Sequence, residues 1–399
     1  VKIAFVALPR HEDTHISRIA PPLPLGYVAA MLEQRRHIVR IYDLALFQDS
    51  PLSSALAPLR LFRPHLVVLA SDHPGLASNI EAALQEINTK VIRLGTSLRE
   101  GAIAQAVTRA LWYVDEQSAH LDEQSVIFEA LLALDDDLDA LPFPARHLLP
   151  LEQYPLFTLK GDLQTTVLIA QQISSTYAAL RQPQHLITEI QSVMREHGIR
   201  HFVFAGTSIT RDPQWIRDLT YYLSSSGLGI AWEATVGHED LTPELLLQLR
   251  QAGCEALCFE FLAGDVLVSR DTREPLSSAA IQARNAGFGV RAHIHLDPPF
   301  SAMPSLIDVS ATVGLDAVHF HIQRDAHAER DRVGLDGVSL DDIAEMARTR
   351  YRSSRSRQFF VDRFGPQLGP MLWRVGRAGL LGRTWQQYAD GGDEGVLAY

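Results

Sequence analysis

Short apolar, β-branched runs alternate with amphipathic stretches through roughly the first 115 residues of the chain. The runs at Lys2–Leu8, Ile38–Tyr42, His65–Ala70 and Lys90–Leu94 predict strands. Apolar spacing near the helical period predicts helices at Leu25–Gln34, Leu52–Leu61, Ala77–Ile87 and Ala102–Tyr113. Such alternation implies a parallel sheet with helices on both faces, a Rossmann-like layout whose ligands sit beyond the carboxyl ends of the strands. The pattern breaks at Asp135-Asp136-Asp137-Leu138-Asp139-Ala140-Leu141-Pro142-Phe143-Pro144-Ala145-Arg146, where prolines favour extended chain and charges favour solvent. It resumes at Gln164 with predicted strands at Thr165–Ala170, His201–Ala205, Gly229–Thr235, Ala256–Phe261, Gly289–Leu296 and Asp316–Ile322. Helices are predicted between them at Gln184–His197, Pro213–Ser224, Pro243–Gln251, Leu276–Ala286 and Ser305–Val313. Six βα units of this length fit a partial (β/α)6 barrel, a shortened relative of the eight-fold TIM barrel. The chain is thus α/β throughout: a Rossmann-like domain over 1–134, a linker over 135–163, a barrel over 164–329 and a helical tail over 330–399.

Composition narrows the setting. With 46% hydrophobic and 21% charged residues the chain reads as an ordinary globular protein. No apolar run approaches the ~18 residues that suggest a membrane span, and Val1-Lys2-Ile3-Ala4-Phe5-Val6 reads as a strand instead of a signal peptide. A cytoplasmic protein is expected. The net charge of −11 argues against nucleic-acid binding, which needs a cationic face. One stretch differs: from Arg348 to Arg383 nine arginines accompany a single acidic residue, Asp362. That pattern reads as a solvated helical face, or as a contact for an anionic membrane surface or a protein partner.

The chain has two cysteines, Cys254 and Cys258, which excludes a disulfide scaffold and any site needing three of its own thiolates. Their spacing on a predicted strand reads as small core side chains. Nothing resembles a nucleophile elbow, a P-loop or a thioredoxin motif.

Several segments carry a family likeness in their order and spacing: Pro21-Pro22-Leu23-Pro24-Leu25-Gly26-Tyr27-Val28-Ala29-Ala30, then Leu138–Arg146, then Arg181-Gln182-Pro183 ahead of Leu186-Ile187-Thr188-Glu189-Ile190, then Leu245–Leu249 with Ala252-Gly253-Cys254, and the basic tail. Together they resemble the cobalamin-dependent radical SAM family. The resemblance implies an N-terminal cobalamin (B12)-binding domain entered through Pro22, Leu23, Leu25, Gly26 and Tyr27, and a radical SAM-like barrel using S-adenosylmethionine (SAM) and a 4Fe–4S cluster. Family members place three cysteines at C-x3-C-x2-C after the first barrel strand, because the cluster needs thiolate ligands. Here the matching positions are Ile173, Tyr177 and Leu180, none of which can ligate iron. The Gly-x-Glu-Ser-Gly pattern that helps hold SAM is matched by Glu260-Phe261-Leu262-Ala263-Gly264, with Leu262 at the carboxylate position.

Cobalamin domains of other families use D-x-H-x-x-G, with the histidine as axial ligand. Asp13-Thr14-His15-Ile16-Ser17-Arg18 has the carboxylate–imidazole spacing but Arg18 for glycine, so His15 is either that ligand or a coincidence of spacing. Asp72-His73-Pro74-Gly75, at a predicted strand end, is a second ligand-facing candidate, with a plain turn as the alternative. In the barrel, Arg291-Ala292-His293-Ile294-His295-Leu296-Asp297 and Ala317-Val318-His319-Phe320-His321-Ile322-Gln323 carry paired histidines on adjacent strands. Strand alternation turns His293, His295, His319 and His321 to one face, with Glu260 and Glu233 sharing it. These six residues are the candidate acid–base or substrate-contacting groups. The four imidazoles are also a candidate site for a divalent metal, the alternative being a wet, hydrogen-bonded lumen.

Three functions follow. One is a cobalamin-dependent, cluster-independent methyltransferase-like enzyme acting on a small molecule. The second is a non-catalytic cobalamin carrier, sensor or partner subunit of an intact radical SAM enzyme. The third is a metal-dependent enzyme using the histidine-rich lumen.

Overall fold

The structure, a computed structural model, describes residues 1–8, 20–47, 51–71, 74–85, 89–94, 138–154, 164–173, 178–205, 208–262, 270–296, 307, 311–313, 315–322, 350, 354, 357–372, 374 and 396–398. It divides into two units: Val1–Ile209 with Gln214–Trp232, and Thr210–Pro213 with Glu233–Tyr399.

The first unit begins with β1 (Lys2–Ala7), α1 (Leu23–Gln34), β2 (Ile38–Asp43), α2 (Leu52–Ala55), α3 (Ala57–Phe62), β3 (Leu66–Ala70), α4 (Pro74–Leu84) and β4 (Lys90–Leu94). All four strands are parallel, in the order β2-β1-β3-β4. The central strands β1 and β3 are unbroken apolar runs because both their faces are covered, whereas β2 alternates exposed and buried positions as an outer strand does. Helix α1 is buried from Leu23 through Leu32, so it is apolar all round instead of amphipathic. The single helix expected over Leu52–Leu61 is two, because Pro58 has no N–H to continue the first and suits the opening turn of the second.

The segment expected as an extended, solvated linker is instead packed. It makes short 3-10 turns at Leu138–Ala140, Arg146–Leu148 and Leu151–Gln153, and Leu138, Ala145, Arg146, Leu149, Leu151 and Tyr154 are buried. Apolar residues between the prolines outweigh the acidic run ahead of them once α1 offers a surface. Gly26 makes that approach feasible: its carbonyl accepts from Ala145 N at 2.9 Å. A Cβ on Gly26 would stand 3.0 Å from Pro144 Cβ.

The unit continues with β5 (Thr165–Ile169), β6 (Gln171–Ile173), β7 (Ala178–Leu180), α5 (Pro183–His197), β8 (His201–Ala205), α6 (Pro213–Ser226) and the start of β9 (Ala231–Thr235). β5 and β8 pair in parallel, while β6 and β7 form an antiparallel ribbon that the hydrophobic pattern does not predict. Helix α5 buries Leu186, Ile187, Ile190 and Val193 at helical spacing and ends at Gly198, whose φ of 71° suits the left-handed cap. Trp232 stacks on Phe204, with ring centroids 4.9 Å apart.

The second unit holds the rest of β9, α7 (Pro243–Gln251), β10 (Cys254–Leu262), α8 (Arg270–Asn285), β11 (Gly289–Leu296), β12 (Ala317–Ile322), a helical region at 357–372 and β13 (Val396–Ala398). Thr242 caps α7 by accepting from Leu245 N at 3.2 Å. Strands β10, β11, β12 and β13 pair in parallel, so the tail expected as wholly helical also supplies a strand. The full order of the second sheet is β13-β12-β11-β10-β9-β8-β5. The helices expected at Ala102–Tyr113 and Ser305–Val313 lie wholly or largely outside the described residues.

Candidate functional site

The strand order β2-β1-β3-β4 reverses direction between β1 and β3. In open parallel sheets, ligands occupy the crevice beyond the carboxyl ends of the two strands at such a switch point. β1 and β3 stay paired up to Leu8, whose N–H donates to Ala70 O at 3.0 Å. His15 follows β1 in the sequence, and Asp72 and His73 follow β3. Those residues themselves lie outside the described residues. Asp43, at the end of β2, is already committed: its carboxylate accepts from Tyr154 OH at 2.9 Å and from Ala45 N at 3.0 Å.

Pro22, Leu23, Leu25, Gly26 and Tyr27 are buried at the start of α1. Tyr27 and Gly26 face protein: the Tyr27 hydroxyl accepts from Arg181 Nη1 at 3.0 Å, and Gly26 meets the 144–145 backbone. Their environment is that of a packing surface.

Tyr27 belongs to a buried ion cluster. Arg181 donates from Nη1 to Glu189 Oε2 at 2.7 Å and to Ile169 O at 3.0 Å, and from Nε to Asp139 Oδ1 at 3.0 Å. Arg146 Nη2 lies 2.7 Å from Glu189 Oε1 and donates to Val167 O at 3.0 Å. Burial pushes the Glu189 carboxyl up, but Arg146 and Arg181 together hold it below the usual carboxylate range. Burial, reinforced by Glu189, raises the Tyr27 phenol, so it stays neutral. Two guanidiniums against two carboxylates leave the cluster neutral, and its contacts join α1, the 138–154 segment, β5 and α5. The arrangement fastens these elements together.

The ribbon β6–β7 occupies the stretch after β5. Its register pairs Gln171 with Leu180 and Ile173 with Ala178, and Arg181 N closes its base by donating to Ala170 O at 2.9 Å. Ile173 and Leu180 are therefore ribbon positions, while Tyr177 lies outside the described residues. The two thiols stand elsewhere, on β10, with Cys254 buried and Cys258 half-buried. Burial pushes both thiols well above their ordinary value, more than Arg291 beside Cys258 can offset, so neither is a thiolate near neutral pH.

In the second unit the strand register sets the positions expected from the sequence opposite one another. Glu260 lies opposite His293, Cys258 opposite Arg291, His293 opposite His319, and His295 opposite His321. Glu233 Oε2 pairs with Arg291 Nη1 at 3.0 Å, with both side chains largely shielded. Along β10 the same face runs from buried Cys254 and Ala256 through half-buried Cys258 to exposed Glu260, so it opens toward the carboxyl ends of the strands. Leu257 and Phe259 alternate to the buried face, as Ala292 and Ile294 do on β11. The side chains of His295, His319 and His321 lie outside the described set, so their convergence rests on register alone. Among the described residues no group of three histidines, cysteines or carboxylates is arranged to hold a metal ion. Arg291 was not singled out in the sequence, although alternation from His293 and His295 places it on their face. Its guanidinium changes the chemistry, since the face offers a cation beside carboxylates and imidazole.

The protein thus carries two parallel α/β sheets, one of four strands in Rossmann-like order and one of seven. Among solved structures it is similar to the radical S-adenosylmethionine methyltransferase TsrM from Kitasatospora setae with cobalamin and a 4Fe–4S cluster bound, at a TM-score of 0.53 and 13% identity over 80% of this chain and 74% of that one. It is also similar to TsrM with tryptophan substrate and the SAM analogue aza-SAM, at a TM-score of 0.51 and 14% identity over 80% of this chain and 72% of that one. At such identities the likeness is one of fold. No family model matches the chain, and no curated protein matches it.

Proposed function

We propose that this chain binds cobalamin at the β1–β3 edge and a small molecule on the β9–β12 face, and acts as a methyltransferase-like enzyme without an iron–sulfur cluster. The observation carrying the reading is the stretch after β5. Ile173 and Leu180, which the family resemblance puts at cluster-ligand positions, lie on the ribbon there, and burial keeps the two cysteines, on another strand, in the thiol form. The donor set does not fit a 4Fe–4S cluster. Leu262, ending β10, has no side-chain group that could hydrogen-bond SAM.

What supports cobalamin is the strand order, whose switch point between β1 and β3 is where open parallel sheets take ligands, together with His15, Asp72 and His73 following those two strands in the sequence. His15, with Asp13 two residues ahead of it, is the axial-ligand candidate. When bound, cobalamin supplies alkyl-transfer chemistry. On the other face Arg291, steadied by Glu233, suits a carboxylate, and Glu260 suits an ammonium. That pairing matches a zwitterionic amino acid, the substrate class of the tryptophan-bound TsrM structure. His293 lies beside Glu260 in register to take up the proton that a methylated nucleophile releases.

The test is one sample of the whole chain, incubated with hydroxocobalamin, freed of excess ligand, and analysed by visible spectrum and for iron, cobalt and zinc. Corrin bands with stoichiometric cobalt and without iron or sulfide are expected. An absence of corrin bands at saturating ligand removes the cobalamin reading. Stoichiometric iron and sulfide with SAM cleavage removes the cluster-free one.

A further inference from the structure

The helical region at 357–372 cannot be one straight rod. Gly369 is buried so closely against Phe360 and Val361 that a Cβ there would stand 2.6 Å from Phe360 O. Residues nine apart in a continuous α-helix lie about 13.5 Å apart along its axis. Contact therefore requires reversal between them, and Gly365 provides it with a φ of 82°, followed by Pro366, which suits the opening turn of the next helix. The region is a tight hairpin of two short helices, with Gly369 at their contact and Phe364 beside the turn.

What this hairpin buries is small, and what it exposes is large and apolar. Phe359, Phe364, Leu368 and Met371 are 60%, 45%, 56% and 57% exposed. Arg357, Arg363 and Arg374 are exposed around them. Exposed apolar side chains gathered on one short motif mark an interaction surface more often than chance exposure. The charge of the stretch selects the occupant. Nine arginines accompany Asp362 alone between Arg348 and Arg383, in a chain whose net charge is −11. Local basicity in an acidic protein concentrates attraction for an anionic surface in this stretch. Phenylalanine, leucine and methionine ringed by arginine is the composition of an element lying in a lipid headgroup layer. Among the described residues no helix is long and apolar enough to cross a membrane, so contact would be at the surface.

We infer that the 357–374 hairpin docks the protein on an anionic lipid surface, with Phe359, Phe364, Leu368 and Met371 entering the headgroup–acyl boundary and Arg357, Arg363 and Arg374 meeting lipid phosphates. The experiment is co-sedimentation of the whole chain with vesicles of phosphatidylglycerol and phosphatidylcholine in equal parts, against phosphatidylcholine alone. Binding to the anionic vesicles only is expected, falling as sodium chloride is raised because screening weakens surface attraction. Replacing Arg357, Arg363 and Arg374 together by glutamine weakens binding about a hundredfold, at roughly fivefold per arginine. Phe364→Ser with Leu368→Ser weakens it about tenfold or more at unchanged salt dependence. Far-UV circular dichroism checks that the variants fold, and the salt series on the wild type tests the proposal without any variant. A chain that stays in the supernatant at low salt, or binds neutral vesicles equally, overturns it. So does a dimer in solution that the serine variants convert to monomer, since the apolar face would then be a contact between copies.

Discussion

Two clusters of charge in this protein differ in their relation to water. Arg146, Arg181, Glu189 and Asp139 are turned inward, with the Arg146, Arg181 and Glu189 side chains 3% exposed or less. Glu233, Arg291, Glu260 and His293 lie along a face that passes from buried to exposed within one strand length. The first cluster has closer ion pairs and a carboxyl held below its ordinary value, features that would commonly flag a functional site. Its neutrality and its contacts to Val167 O and Ile169 O give it a structural role instead. The second has one shielded pair and an open end, which is what a ligand needs. Perturbation alone does not locate a site; perturbation next to open space does.

The sharpest way to break this contrast is Glu189→Gln. It leaves two buried guanidiniums facing one carboxylate, and a buried pair broken from one side costs ~3–5 kcal/mol. Denaturant unfolding should show a loss of that size, and a loss under ~1 kcal/mol would mean the cluster fastens nothing. Its pH dependence has a definite sign. The folded carboxyl is held below its ordinary value, so its contribution is complete above the unfolded value of ~4.3 and disappears as pH falls through the lower folded value. Wild-type stability should therefore drop on the acid side of ~4.3, and that slope should flatten in Glu189→Gln.

Next in size is Glu233→Gln on the open face. Arg291 keeps partial access to water, so a stability loss nearer ~1–2 kcal/mol is expected by the same denaturation assay. Binding of an amino-acid ligand should suffer more than stability does, because Arg291 loses its steadying partner. Equal losses in the two would place this pair with the buried cluster. Tyr27→Phe comes third. It removes one of three acceptors of Arg181 Nη1, and the remaining two limit the cost to ~0.5–1.5 kcal/mol in a thermal or denaturant scan.

The two clusters were unequally legible in the sequence. A central strand such as Leu66–Ala70 stood out because a strand covered on both faces must be apolar. The strands of the open face were readable too, since alternation along Arg291–Leu296 and Ala317–Ile322 marks them without knowledge of packing. The closed cluster was not. Tyr27 and Arg181 are 154 positions apart and Asp139 and Arg181 42 apart, and nothing local says that they meet. The 138–154 segment misled for the same reason: its acidic, proline-rich composition describes chain in water, whereas α1 supplies a surface that buries it. The ribbon β6–β7 was invisible because Gln171-Gln172-Ile173 and Ala178-Ala179-Leu180 are too short and mixed to show a period. β13 has the same three-residue length, and its strand character comes from pairing with β12.

The smallest expected effect is also the finest probe of the open face. Glu260 is exposed, so Glu260→Gln should leave stability within ~0.5 kcal/mol of wild type. It should nonetheless alter Cys258, one βstrand pleat away on the same side of β10. Burial is the main reason that thiol is pushed up; Arg291 pulls it down, and Glu260 and Glu233 raise it further. Only the thiolate is nucleophilic, so alkylation by iodoacetamide reports this balance. Removing the Glu260 charge should speed modification of Cys258 a few-fold, and Arg291→Gln should slow it, as read by intact mass with peptide assignment. Cys254, buried at the foot of the same face, should remain unmodified in every folded variant. If Glu260→Gln and Arg291→Gln shift the rate in the same direction, or if Cys254 reacts as readily as Cys258, the graded opening of this face is wrong, and with it the reason for placing the ligand there instead of at the more strongly perturbed cluster around Arg181.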